Sequence, residues 1–154
     1  GWLIENAGLT RDEMSMQRIR RWVRENPKRM RELLNTNPNF VFFEERVGMG
    51  EADGPLGAQA VPLTPGASVA VDRRYWKLGV PFVTEVTQDN PAMAFARPVI
   101  AQDTGGAIRG VIRFDYFWGF GDIAGAQAGR QKSRAHAWVL VPRGMKPSDI
   151  MTAR

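Results

Sequence analysis

The chain has no cysteine, a single histidine and no long hydrophobic run. Without cysteine there is neither a disulfide framework nor a thiolate zinc site. The absence does not fix a compartment, although it is compatible with an oxidising one, where a stray thiol is a liability. The lone histidine, His136, excludes a multi-histidine metal site, and any Ser/His/Asp triad would have to use it. It stands at the start of a strand-like run, R-A-H-A-W-V-L-V, where a structural role is the simpler reading. No stretch approaches the roughly 18 to 20 apolar residues of a membrane span. No signal peptide is visible. The chain opens G-W-L-I-E with no initiator Met, as though entered in mid-element. A fragment or processed piece is therefore expected, with targeting information upstream. There are no repeats and no low-complexity tract, and neither a metal nor a cofactor is expected.

What is present suits one domain, or one domain with an appendage: 154 residues, 44% of them apolar. The net charge is +5, with much of the basic excess in the first third, in R-I-R-R-W-V-R and K-R-M-R. A basic face can bind nucleic acid or an anionic surface. Here the cations alternate with acids and apolar residues at helical spacing, the pattern of a solvated helix face. The aromatic residues, moreover, cluster around acids rather than within the basic segments, so nucleic acid is not expected as a partner. A basic surface would also suit an anionic wall polymer.

Residues 1–43 read as two or three short helices packed on the domain that follows. Thr10 with Glu13 makes a capping-box pattern, and Ser15 is a second candidate start. Met16, Ile19 and Val23 continue at helical spacing, and Pro27 suits the first turn of a further helix. Phe40-Val41-Phe42-Phe43 has strong strand preference. Residues 44–57 form a glycine-rich loop. From there short strands alternate with turns: candidates are Gln59–Leu63, Ser68–Val71, Pro81–Val86, Ala96–Ala101, Ala107–Phe114 and Ala135–Val141. Asp122 to Arg130 reads as a short helix with Asp122 as its N-cap, and residues 144–154 as a frayed tail. Six short strands and one small helix suggest a closed β-barrel over residues 58–143.

The stretch that organises the rest runs from Val99 to Gly121, V-I-A-Q-D-T-G-G-A-I-R-G-V-I-R-F-D-Y-F-W-G-F-G. An apolar strand end delivers Asp103, followed by Thr104 and two glycines, Gly105 and Gly106, that let the backbone turn or approach a ligand closely. A second apolar run delivers Asp115 beside Tyr116, Phe117 and Trp118. Two carboxylates on strand ends, one among aromatics, are what a carbohydrate-active site needs, because a carboxyl group kept protonated can donate to a glycosidic oxygen. The residues alone leave the plainer reading open. Asp before Gly is common in turns, and strand aromatics are usually core.

Three strings carry a family resemblance: G-P-L-G-A-Q-A-V-P-L-T-P-G-A-S-V-A-V-D, A-Q-D-T-G-G-A-I-R-G and R-F-D-Y-F-W-G-F-G. In this order they resemble the membrane-bound lytic murein transglycosylase A family, whose C-terminal 3D domain is called after three aspartates, here matching Asp72, Asp103 and Asp115. The upstream M-S-M-Q-R-I-R-R-W and N-P-N-F-V-F-F are similar to that family too, so the resemblance covers nearly the whole chain.

The resemblance implies a mainly β fold, a double-psi β-barrel like that of barwin-like proteins and some endoglucanases, preceded by short helices. It implies an enzyme that cleaves peptidoglycan between N-acetylmuramic acid and N-acetylglucosamine without water, leaving a 1,6-anhydromuramic end. Asp115 matches the catalytic aspartate, acting first as acid and then as base. Apolar Phe114 and Tyr116, with Asp103 nearby, are expected to keep it protonated at rest. Asp103 is the second catalytic candidate. Asp72, Gly105, Gly106, Tyr116 and Trp118 are substrate-binding candidates, with structural readings for Asp72 and Trp118 standing beside. The partner implied is the glycan strand of peptidoglycan. Family members carry a further upstream region that forms the other wall of the groove and is not in this chain. They are lipid-anchored to the periplasmic face of the outer membrane, and the anchoring cysteine is not in this chain either. Alternatives on the same barrel are a glycoside hydrolase and a non-catalytic glycan-binding module.

Overall fold

The computed structural model describes residues 1–39, 42, 45, 47, 48, 50 and 53–152. These fall into two compact units, Gly1–Gly48 and Met49–Arg154.

The first unit is helical. α1 spans Trp2–Ala7, α2 Met16–Glu25 and α3 Met30–Leu34, the last preceded by a 3-10 turn at Pro27–Arg29. Thr10 donates twice to Glu13 Oε2, from its backbone N–H and from its Oγ1; only the first is a capping-box bond, and the pair closes a turn rather than starting a helix. The helix starts at Ser15, whose Oγ accepts from the Arg18 backbone N–H at 3.1 Å. Ile19, Trp22 and Val23 then share a face, the 3.6-residue period putting them together. Trp22 is buried with Leu3 and Leu9. Trp2 meets the Trp22 ring edge-on at 5.6 Å, and the Arg29 guanidinium lies over Trp2. The arginines of α2 thus occupy the face left over. Phe40, Val41 and Phe43 of the expected strand lie outside the described residues.

The second unit is mainly sheet. β1 is Ser68–Val71, β2 Pro81–Gln88, β3 Met93–Asp103, β4 Phe114–Tyr116 and β5 Arg134–Val139. Their order is β4-β1-β3-β2-β5. β2 and β3 form a hairpin registered from Pro81↔Ile100 to Gln88↔Met93, turning where Gln88-Asp89-Asn90-Pro91 signals it. β1 lies parallel to β3 and antiparallel to β4. All four β1 residues are buried, whereas β2 alternates, with Phe82, Thr84 and Val86 inward. The core is Val69, Val71, Trp76, Val80, Phe82, Val99 and Ala101. Phe82 sits at its centre, edge-on to Trp76 at 4.9 Å and to Phe114 at 5.1 Å. Residues of both edge strands, Asp115 and Tyr116 of β4 and Ala135 of β5, line one cleft. The sheet is therefore curled.

Four expectations need correction. Gln59–Leu63 is not a strand. It contributes one bridge, Leu56↔Pro62, because its backbone folds over the end of β3 instead, with the Gln59 N–H donating to the Gln102 carbonyl at 3.0 Å. Ala107–Phe114 is a loop up to its last residue. Gly110 has φ +118°, a conformation an L side chain rarely adopts, and its N–H goes to the Asp72 carboxylate rather than to a neighbouring strand. The described residues therefore hold five strands, not six. The helix after the motif, α4 at Gly121–Arg130, is preceded by Phe120 at the N-cap, with Asp122 inside its first turn. Finally, the tail is tied down as far as Thr152. It forms α5 at Pro147–Ile150 and bridges Trp76↔Met151, while Lys77 Nζ donates to the Asp149 carbonyl at 2.9 Å.

Candidate active site

β4 is only three residues long, with Asp115 at its centre. Its register sets Asp115 opposite Ala70 of β1, while the other side of Ala70 pairs with Asp103 at the end of β3. The two carboxylates thus flank one buried alanine from opposite sides. Two strand spacings separate their backbones by about 10 Å. Both line a cavity of about 270 Å³ with Leu63, Ser68 and Ile108. Asp115 and Tyr116 also line the larger cleft, about 480 Å³, together with Trp118, Thr84, Gln131 and Arg113. Asp115 therefore stands where the two spaces meet, 44% exposed.

Its immediate partner is a cation. Arg113 Nε donates to Oδ1 at 2.5 Å and Nη2 to Oδ2 at 3.2 Å. Arg113 is the last loop residue before β4, two positions from Asp115, and its side chain folds back onto the carboxylate. The hydrogen bond to Asp115 raises the pKa of Arg113 further and keeps the guanidinium charged. This differs from the apolar and acidic surroundings expected from the sequence. The pair is half-exposed on both sides, and such pairs contribute about 1 kcal/mol or less, so a substrate can displace the guanidinium at little cost.

Asp103 is fixed by a close approach. The Ala58 N–H donates to its Oδ1 at 3.0 Å. That contact needs Gly57, because a Cβ there would lie 2.5 Å from the Gln102 carbonyl oxygen. Gly105 and Gly106 line neither cleft. A Cβ at Gly106 would meet nothing within 4 Å, and one at Gly105 would touch the Ile108 side chain at 3.3 Å. The close-approach glycine of this region is Gly57.

Asp72 has a scaffold position. It is 1% exposed and lines neither cleft. Arg74 forks onto it, with Nη2 to Oδ2 at 2.6 Å, and the N–H groups of Arg74 and Gly110 add bonds at 3.0 and 2.8 Å. The Arg74 hydrogen bond, above all, holds its carboxyl far below the usual carboxylate range, against the opposing effect of burial. The group latches the 104–113 loop, which leads into β4, onto the end of β1. A depressed folded-state pKa stabilises the fold above the unfolded value of about 3.9, and that contribution is lost as pH falls below it. Asp72→Asn is therefore expected to lower stability at neutral pH and to flatten the loss of stability below about pH 4. Thermal unfolding of the complete protein across that window checks this. Parallel curves for wild type and variant would contradict it.

The aromatic wall is held by polar contacts. Thr84 Oγ1 donates to the Arg97 carbonyl at 3.2 Å, so the 2.6 Å bond between Thr84 and Tyr116 uses the phenol as donor. Burial pushes the Tyr116 pKa up, so it keeps its proton. Trp118 Nε1 donates to Gln131 Oε1 at 2.7 Å, which fixes the plane of the indole. Phe95 packs edge-on against both rings at 5.4 and 5.7 Å. Tyr116 and Trp118 both line the cleft. Sequence reasoning missed Arg113, Thr84 and Gln131. Only Arg113 carried a signal, its spacing of two from Asp115. The described residues hold no cluster of three or more His, Asp or Glu suited to a metal ion, and no helix long and apolar enough to cross a membrane.

This geometry has known counterparts. The family model of the 3D domain matches residues 67–141, and that of the MltA specific insert domain matches residues 1–44. The membrane-bound lytic murein transglycosylase A of Vibrio cholerae is 37% identical over 145 residues, covering 90% of this chain and 38% of that protein. The chain belongs to the lytic murein transglycosylase A family. It spans about two fifths of the length of the curated family members it matches. Among solved structures of the family, MltA from Neisseria gonorrhoeae superposes with a TM-score of 0.81 at 41% identity, covering 94% of this chain and 36% of that one. Escherichia coli MltA, solved with bound chitohexaose, gives 0.75 at 36% identity, covering 89% of this chain and 41% of that one. The mainly-sheet architecture of the second unit is thus a family property.

Proposed function

We propose that the complete protein is a lytic transglycosylase of peptidoglycan, cleaving the β-1,4 bond between N-acetylmuramic acid and N-acetylglucosamine, with Asp115 as its one acid and base. The observation that carries this is the place of Asp115. It is an accessible carboxylate at the junction of an aromatic-walled cleft and a second cavity, in a family whose members bear that name. At the start Asp115 carries a proton and Arg113 has swung aside. The bond from the muramic C1 to the bridging oxygen breaks, and Asp115 gives its proton to that oxygen. The C6 hydroxyl oxygen of the same sugar then bonds to C1, closing the anhydro ring and returning its proton to Asp115. No water is consumed and the acid is regenerated. With Arg113 aside, the Asp115 carboxylate left after the first transfer is free to take the C6 hydroxyl proton. Asp103, held by the Ala58 N–H, supports the opposite wall. Tyr116 and Trp118 stack on a sugar ring, while Asp72, with Gly105 and Gly106 in the loop it anchors, acts by shaping the approach.

In this reading residues 58–143 belong to a double-psi β-barrel and residues 1–43 to the helical part before it. The glycan groove is completed by protein outside this chain, and the enzyme works lipid-anchored at the periplasmic face of the outer membrane. A hydrolase reading has one observation in its favour, the second carboxylate across Ala70. An inverting pair stands roughly 6.5 to 9.5 Å apart with a water between. Mass spectrometry of the products from purified peptidoglycan separates the two. Anhydromuramic ends are expected, and reducing ends would overturn the lytic reading.

A further inference from the structure

Among the described residues two cations line the larger cleft, and only one of them is paired. Arg113 faces Asp115, but Lys132, on the opposite wall, has no ion pair among the described residues. Its position is nevertheless built. One side chain, Gln88, gathers the loop around it. Gln88 Oε1 accepts from the Lys132 N–H at 2.6 Å and from Ser133 Oγ at 2.9 Å, while Nε2 donates to the Arg130 and Pro91 carbonyls at 3.0 and 3.1 Å. The clamp ties the start of β5 to the β2–β3 turn and so holds Lys132 at the rim.

Among the described residues Asp115 is the only carboxylate lining this cleft, against the two cations. An uncharged sugar chain would occupy the aromatic wall and leave a positive charge uncompensated. We propose that the cleft seats a carboxylate borne by the substituent on the muramic sugar, bound by Lys132 and, once released from Asp115, by Arg113. This rests on the lytic reading above and adds a specificity to it. It also gives the release of Arg113 a cause, because the incoming carboxylate competes with Asp115 for the same guanidinium fork. Two carboxylates qualify: one on the peptide stem, or that of the lactyl group where the stem has been removed.

The test uses the complete protein on three substrates. They are intact peptidoglycan, the same material with its carboxylates converted to amides, and strands stripped of stems by an amidase. Wild type is expected to show a KM about tenfold lower for intact than for amidated material, the worth of one charge-assisted hydrogen bond. Lys132→Met should collapse that ratio towards one, Lys132→Arg should keep it, and added salt should shrink it. In intact material the lactyl carboxyl is an amide, so the ratio there reads the stem carboxylate. Stripped strands that behave like intact material show that the freed lactyl carboxylate takes the same place, and stripped strands that behave like amidated material show that only the stem's does. Equal KM values for intact and amidated substrate in wild type would overturn the proposal, as would an unchanged ratio in Lys132→Met. A wild type that yields no anhydro ends from any of the three would instead overturn the lytic reading.

Discussion

Asp115→Asn in the complete protein is expected to lower release of anhydromuropeptides by about 10³-fold, with the glycan still bound. The estimate follows from what one group is asked to do. General acid–base catalysis by a positioned side chain contributes about 10² to 10⁴-fold. Here the same carboxyl serves both the departing oxygen and the attacking one, so no second group compensates. An amide keeps the shape of the side chain and can still accept a hydrogen bond from Arg113, and the half-exposed position tolerates the change. The fold and KM should therefore stay close to wild type while kcat falls, the signature of an interaction made in the transition state. Timed release of soluble anhydromuropeptides checks this. A variant within tenfold of wild type would remove Asp115 from the chemistry.

Phe82→Ala is expected to carry the largest effect on stability, about 3 to 5 kcal/mol. Phe82 is 1% exposed and its ring lies between Trp76 and Phe114. Removing it leaves a cavity that two large rings cannot close without leaving their own contacts. Trp76 is tethered through its indole N–H to the Val111 carbonyl at 2.6 Å, in the loop that feeds β4. Phe114 is the residue before Asp115. The substitution therefore loosens the strand that carries the catalytic candidate as well as the core. A fall of about 10 °C in the unfolding midpoint of the complete protein is expected. Phe82→Leu, which keeps most of the volume, should lose much less. Similar losses for both would indicate that the site is not close-packed.

Much of this was legible because it is local. The alternation in Pro81–Gln88, the apolar run Val69–Val71 behind Ser68 and the turn at Asp89–Pro91 state their structure within a few residues. So does Ser15 at the head of α2. The string R-F-D-Y-F-W-G put an acid among aromatics, and the structure keeps it there. What could not be read depends on segments far apart in sequence. Residues 107–113 are apolar enough for a strand, but Asp72, nearly forty positions earlier, captures the Gly110 N–H and bends them into a loop. Arg113 was hidden by a wrong assumption about what surrounds Asp115. Gln131 and Lys132 matter only because Gln88 gathers their loop, and no local pattern announces that. Gly105 and Gly106 attracted attention as a pair, yet the glycine that the close approach beside Asp103 demands is Gly57, next to a strand end that only the fold brings near.

The central claim is that one carboxylate breaks the glycosidic bond and a sugar hydroxyl, not water, takes the vacated carbon. Cleavage of peptidoglycan by the complete protein in heavy-oxygen water, followed by mass spectrometry of the new muramic ends, tests it most directly. The account predicts anhydro ends with no label at C1. Labelled reducing ends would contradict it and would make Asp103 the base that activates a water.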